Sequence, residues 1–142
     1  MAEQLTVEFG IVKTYPETVI QYKGDAETGV IIEIEVIGSS ASSIRINNVT
    51  RSEYIIIDHT KLAAIVGSDL EQYDLLTINT NRGSKSAKLL RGGVSYDVLH
   101  AIDLSSKWIY LQTGPNKMTY SATPSVDQLR ISIKCPVKVL GV

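Results

Sequence analysis

Apolar and polar residues alternate along most of this chain. Glycine, proline, asparagine or serine interrupts the alternation roughly every 8 to 12 residues, the rhythm of short strands joined by turns. Leu5, Val7, Phe9 and Ile11 alternate with Thr6, Glu8, Gly10 and Val12, which predicts a half-buried strand within residues 1–13. Tyr15-Pro16 ends it, because proline donates no hydrogen bond and pushes its predecessor away from helix. Thr18 to Tyr22 reads as a second strand, stopped by Lys23-Gly24-Asp25. In Val30 to Ile37 the apolar residues Val30, Ile32, Ile34 and Val36 share one face, and Glu33 and Glu35 share the other. Ser43 to Asn47 and Tyr54 to Ile57 continue the series.

One stretch breaks the strand period. Asp58 or Thr60 can cap a helix whose Leu62, Ile65 and Val66 form an apolar stripe, and Gly67 suits a left-handed helix end. Strand signals return at Leu75 to Thr80, close at Asn81-Arg82-Gly83 and resume from Lys85 to Leu90. Gly92-Gly93 supplies the positive φ angles of a tight hairpin. Asp97 can cap a short helical turn placing Val98, Leu99 and Ile102 on one side. Trp108 to Leu111 is apolar on both faces and predicts a central, doubly covered strand with Trp108 in the core. Thr113-Gly114-Pro115-Asn116 predicts a turn into Met118 to Tyr120, and Leu129, Ile131, Ile133 and Cys135 face one way on a last strand. About ten strands, two minor helices and no βαβ alternation predict an all-β, antiparallel two-sheet sandwich.

Composition narrows the function classes. At 142 residues one domain suffices, and such a chain buries roughly 70% of its unfolded surface. Fourteen basic residues against 15 acidic ones leave a net charge of −1, without the basic excess of a nucleic-acid module. No apolar run is long enough to span a bilayer, and the amino terminus lacks the regions of a signal peptide. The lone Cys135 excludes an internal disulfide, so packing must hold the fold. These features point to a soluble protein made in a cytosol.

Candidate chemistry is sparse. His59, His100 and Cys135 do not have the spacing of a zinc site, and Cys135 on an apolar strand face acts as a small hydrophobe. Glu33 and Glu35 lie on one strand face, whereas glycosidase carboxylates come from separate strands. Gly92-Gly93 and Gly114 lack the Lys-Ser/Thr and helix of a phosphate loop. Asn48-Val49-Thr50 fits a glycosylation triplet of a kind frequent by chance. Tyr22, Tyr54, Tyr73, Tyr96, Trp108, Tyr110 and Tyr120 could include a stacking platform for a sugar, so a carbohydrate-binding module is the alternative reading. No catalytic, cofactor or metal residue is expected.

Particular wording goes further than pattern. Asp25 to Ile34 (DAETGVIIEI), Lys61 to Ser68 (KLAAIVGS), Asp74 to Thr80 (DLLTINT), Gly83 to Ser86 and Leu89 to Val94 (LLRGGV) resemble the carboxy-terminal domain of siphophage distal tail (Dit) proteins. So do Ala101-Ile102-Asp103, Ser105 to Trp108, Gly114-Pro115-Asn116 and the final Gly141-Val142. The resemblance implies a galectin-like β-sandwich over residues 25–142, with 1–24 as a linker or leading strands. It implies a structural, non-enzymatic component of a phage or prophage tail. In that family the hub, or baseplate hub, joins the tail tube to tail-tip or receptor-binding proteins at the virion tail tip. Family hexamers are held by an amino-terminal domain that would need over a hundred further residues. This chain alone is therefore expected to be a monomer or weak dimer, without nucleic-acid binding or membrane insertion.

Overall fold

Isoleucine-rich strand faces have to find each other, and they do so in two antiparallel sheets. The computed structural model describes residues 2–9, 17–123 and 128–138, with the backbone alone for 2–9 and 136–138. The strands are β1 (Ala2–Phe9), β2 (Glu17–Tyr22), β3 (Thr28–Gly29), β4 (Ile31–Val36), β5 (Ser40–Asn48) and β6 (Glu53–Ile56). Helix α1 (His59–Val66) follows, then β7 (Leu70–Glu71), β8 (Leu75–Asn79), β9 (Ser86–Arg91) and β10 (Val94–Asp97). A 3-10 turn (Leu99–Ala101) leads to β11 (Tyr110–Leu111), β12 (Gly114–Thr123) and β13 (Leu129–Lys138). One sheet has the order β1-β13-β4-β8-β9-β10; the other runs β2-β12-β5-β6 with β7 against β5, and β11 pairs with β3.

Cross-strand rows make up the first sheet's inner face. Ile32 stands between Ile133 and Ile78, and Ile34 between Ile131 and Leu76. Ile78 and Leu76 continue the rows to Ala87 and Leu89. All eight are buried, and they share one core with Ile20, Tyr22, Ile44, Ile46, Ile55, Met118 and Tyr120 from the second sheet. Directly opposed β-branched pairs on one face are the basic unit of sheet stability. On the outer face Glu33 pairs with Lys134 and Glu35 with Arg130 at 3.7 Å, so these glutamates are cross-strand ion pairs. The all-β sandwich is therefore the fold, and three two-residue strands (β3, β7, β11) raise the number beyond ten.

Local signals behave as their chemistry requires. Asp58, not Thr60, caps α1: its carboxylate accepts from the amides of Thr60 and Lys61, and Gly67 closes the helix at φ 98°. Gly92 and Gly93 take φ 56° and 80° between the paired residues Arg91 and Val94, as a hairpin of this twist demands. Asp97 Oδ1 accepts from the Leu99 amide at 3.1 Å and opens the 3-10 turn. In β5 the alternation slips. Ala41 and Ile44 are both buried, Ser43 adopts φ 52°, and the register with β12 shifts between Ser121 and Thr123. That is a β-bulge, which leaves two residues opposite one and realigns the inward face.

Four expectations need correction. Trp108 to Leu111 is not a central strand, because only Tyr110 and Leu111 pair, and with the two-residue β3. Trp108 is half-buried rather than in the core. Ile65 and Leu99 do not join the apolar stripes assigned to them and stand exposed, since α1 meets the core through Leu62, with Val66 packed against it, and the 3-10 turn through Val98, Ala101 and Ile102. Finally, Gly114 through Asn116 already belong to β12, opposite β2, so the turn is confined to the residues before them. The strand expected within residues 1–13 exists as β1 over Ala2–Phe9, paired with β13; residues 10–13 and the burial of its side chains lie outside the described residues.

Cys135 sits on β13 opposite Leu5, buried, and desolvation pushes its thiol from 9.0 up to about 11. The folded state thus holds the proton that the unfolded chain releases above pH 9.0. The stability this contributes is fully present below that value and is lost as pH rises toward about 11. The expected outcome is a native thiol silent to an aqueous disulfide reagent at about pH 8 and reactive once urea unfolds the chain. A Cys135→Ala chain should lack this part of the alkaline loss in urea titrations; rapid native labelling would contradict the burial.

Candidate functional site

Where the chain leaves the edge of β6 and enters the two-residue β11, at Ile109 and Tyr110, side chains complete its backbone bonding. Thr80 Oγ1 donates to the Ile109 carbonyl at 2.7 Å and accepts from the Val30 amide at 2.8 Å. Asn48 Nδ2 donates to the Tyr110 carbonyl at 2.8 Å, and the Tyr110 amide donates to Glu53 Oε1 at 2.9 Å. Thr80 and Asn48 are fully buried, where an unpaired polar group would be costly. Asn116 does the same for the following turn, accepting from the Gln112 amide and donating to the carbonyls of Gln112 and Gly114. The glycosylation triplet is closed off by this arrangement: Asn48 is an internal fastener.

Upstream, residues 103–107 lie along the free edge of β6. The amides of Asp103 and Lys107 donate to the carbonyls of Ile56 and Tyr54, and Ser106 Oγ accepts from the Ile56 amide. Between them Asp103 Oδ1 accepts from the amide and the hydroxyl of Ser105. Those bonds, helped by the nearby Lys61, hold the Asp103 carboxyl below its ordinary range. The turn leaves Leu104 93% exposed. Together with α1 it walls a groove of about 620 Å³, lined by Lys61, Ala64 and Ile65 on one side and by Leu99, His100, Ile102, Leu104 and Trp108 on the other.

A second cluster fastens α1 and β7 to the first sheet. Arg91 donates to both carboxylate oxygens of Asp74 at 2.9 and 2.6 Å, to Ser68 Oγ at 2.9 Å and to the Asp69 carbonyl at 3.0 Å. Asp74 is buried, and its hydrogen-bonded carboxylate raises the Arg91 guanidinium further above its usual range. A third network joins Arg51 to Glu27 and Glu53, at 3.0 and 2.9 Å. The sequence carried no sign of the Arg91–Asp74 or Arg51–Glu27 partnerships, which join residues well separated in the chain.

The residues singled out for chemistry do not converge. His59 faces Asp69 at 3.2 Å on the surface, His100 lies on the groove rim, and Cys135 is buried in β13. Among the described residues no three of His, Cys, Asp or Glu are grouped as metal ligands. Of the aromatics put forward for a sugar platform most are covered, while Tyr73 is 77% exposed. Tyr22 and Tyr120 are buried, Arg45 covers the Tyr54 ring at 4.5 Å, Arg82 stands over Tyr110 at 5.8 Å and Lys85 over Trp108 at 5.6 Å. No helix among the described residues is long and apolar enough to cross a membrane.

The described residues thus form an all-β sandwich with an apolar groove and with buried polar side chains that hold its loops. Residues 23–133 match the profile of the siphovirus-type tail component family, C-terminal domain. The chain belongs to this family. Among solved structures it is similar to the SPP1 Dit protein (gp 19.1), with a TM-score of 0.63 and 15% identity over 94% of this chain and 46% of that one. That protein is described as a paradigm of the hub adsorption apparatus in phages infecting Gram-positive bacteria. The chain thus spans about half the length of that relative. Two structures of the phage P2 baseplate in its activated conformation, with Ca and with Sr, are more distant: TM-score 0.42, 12% identity, 80% of this chain and 34% of theirs. No curated protein matches the chain.

Arg91→Ala would leave Asp74 buried without its partner, and the expected cost is about 3–5 kcal/mol in urea unfolding. Arg91→Lys should recover only part of this, because a lysine cannot bridge both carboxylate oxygens. A loss under about 1 kcal/mol, the worth of a surface pair, would show that the cluster is not coupled to folding.

Proposed function

We propose that this chain is a structural, non-enzymatic domain of a distal tail hub, located at the virion tail tip and joining the tail tube to host-contacting tip proteins. The observation that carries the reading is the family match across residues 23–133, on a sandwich that also overlays the SPP1 Dit protein over 94% of the chain. The physical character of the chain supports it. Buried polar side chains serve the backbone rather than a reacting centre, and ion pairs lock the outer face of the first sheet. By itself the 142-residue chain is a monomer or weak dimer, with residues 25–142 as the sandwich domain and 1–24 supplying leading strands, β1 and β2, that extend its two sheets.

Immunogold labelling of virions with an antibody against the chain should mark the tail tip; label on the capsid or along the whole tail shaft would overturn the assignment. In light scattering at micromolar concentration the mass should stay near 15.5 kDa or twice that, and a mass near six times it would sink the monomer reading.

A further inference from the structure

A sheet grows at its end strands, and β6 ends the second sheet. Tyr54-Ile55-Ile56-Ile57 sets aromatic and β-branched residues in a row without charge or proline, the composition of a strand that recruits others. The end strands β2 and β10 each carry a carboxylate, Glu17 and Asp97. Pairing with β5 decides which groups of β6 point outward. The Ile57 amide donates to the Ile44 carbonyl, so Ile57 and, with it, Ile55 bond inward to β5. Tyr54 and Ile56 lie between them in the alternation and turn their backbone groups to the edge.

Residues 103–107 occupy that edge without extending the sheet. The Ile56 carbonyl accepts from the Asp103 amide at 2.9 Å and the Tyr54 carbonyl from the Lys107 amide at 2.7 Å. The Ile56 amide donates to Ser106 Oγ at 2.9 Å. Ile57 and Ile102 form an antiparallel bridge, and an unbroken ladder from it would set Ser105 opposite Tyr54. Lys107 stands there instead. The surplus chain is taken up in a turn: the Ser106 amide donates to the Asp103 carbonyl, and Ser105 is tied to Asp103 Oδ1. Leu104 is thrown outward, and a side-chain oxygen replaces the carbonyl that a strand would offer Ile56. Beyond β6 there is thus a kinked turn, which offers no regular row of amides and carbonyls to a further strand.

We propose that the 103–107 turn is an edge guard, which keeps β6 from pairing with the β6 of a second copy. Once released, β6 would pair antiparallel with its duplicate about a two-fold axis at Ile55. Tyr54 of each copy would then face Ile56 of the other, and Glu53 would face Ile57, so no like charges would meet. This goes beyond the tail-component reading and involves no tail partner.

The test compares the native chain with Ser106→Ala plus Lys107→Pro, which removes the hydroxyl that Ile56 uses and the amide that Tyr54 uses. By analytical ultracentrifugation the double variant should dimerise at least about tenfold more tightly than the native chain. Exchange at its Ile56 amide should slow as concentration rises, because a second copy covers that amide. Adding Ile56→Pro should return the dissociation constant to the native value. The Ile56 amide points to the edge rather than to β5, a position where a strand tolerates proline. Circular dichroism checks that each variant keeps its fold. Ser106→Ala alone removes one hydroxyl, and it decides the matter if the heavier variants do not fold: tighter dimerisation with slowed Ile56 exchange is expected. An unchanged dissociation constant in the folded variants overturns the proposal. So does a dimer that survives Ile56→Pro or leaves the Ile56 amide as fast as in the monomer.

Discussion

Every backbone group enclosed between the two sheets must find a partner, and around the two-residue β11–β3 pair three side chains complete what the strands leave unpaired. Thr80, Asn48 and Glu53 bond Ile109 and Tyr110, and Asn116 secures the turn that follows. Burial of an unpaired amide or carbonyl costs more than a hydrogen bond returns, so these residues decide where the 99–111 segment can lie. Once Ile109 and Leu111 are seated, residues 103–107 fall along the edge of β6, Leu104 is turned outward and Trp108 becomes half of a groove wall. The surface feature follows from the interior constraint.

This explains what was readable in the sequence and what was not. Period-two alternation in Val30–Ile37 and Leu129–Cys135 carried the burial of every second residue, and the caps at Asp58 and Gly67 and the Gly92-Gly93 hairpin followed from local chemistry alone. Trp108–Leu111 misled because a run apolar on both sides has the same pattern whether it is a central strand or a buried segment held by polar side chains. The difference lies in Thr80 and Asn48, 29 and 62 residues away from their acceptors, a relation no local pattern contains. Ile65 and Leu99 were read as core for a related reason. They are apolar at helical spacing, yet the helical turns that carry them are short and reach the core through Leu62, Val98 and Ala101.

The groove, likewise, was legible only as ingredients. Ala101-Ile102-Asp103 and Ser105 to Trp108 stood out as family wording, but that wording spoke for fold rather than for any surface. The structure gives part of it a physical purpose: Asp103, Ser105 and Ser106 shape the turn, and Trp108 lines the groove. The Arg91–Asp74 pair was equally invisible, although Asp74 and Arg91 both fall within family-like stretches. The most buried polar side chains, Asn48, Thr80 and Asn116 among them, are spent on holding loops.

Native-state hydrogen exchange at the Tyr110 amide tests this account most directly. If Glu53 and the enclosing sheets hold the segment, that amide should exchange as slowly as those of the paired strands β4 and β8, through global unfolding alone. Exchange at the rate of an open loop, with β4 and β8 still protected, would show that the segment is not pinned, and the groove built on it would lose its foundation.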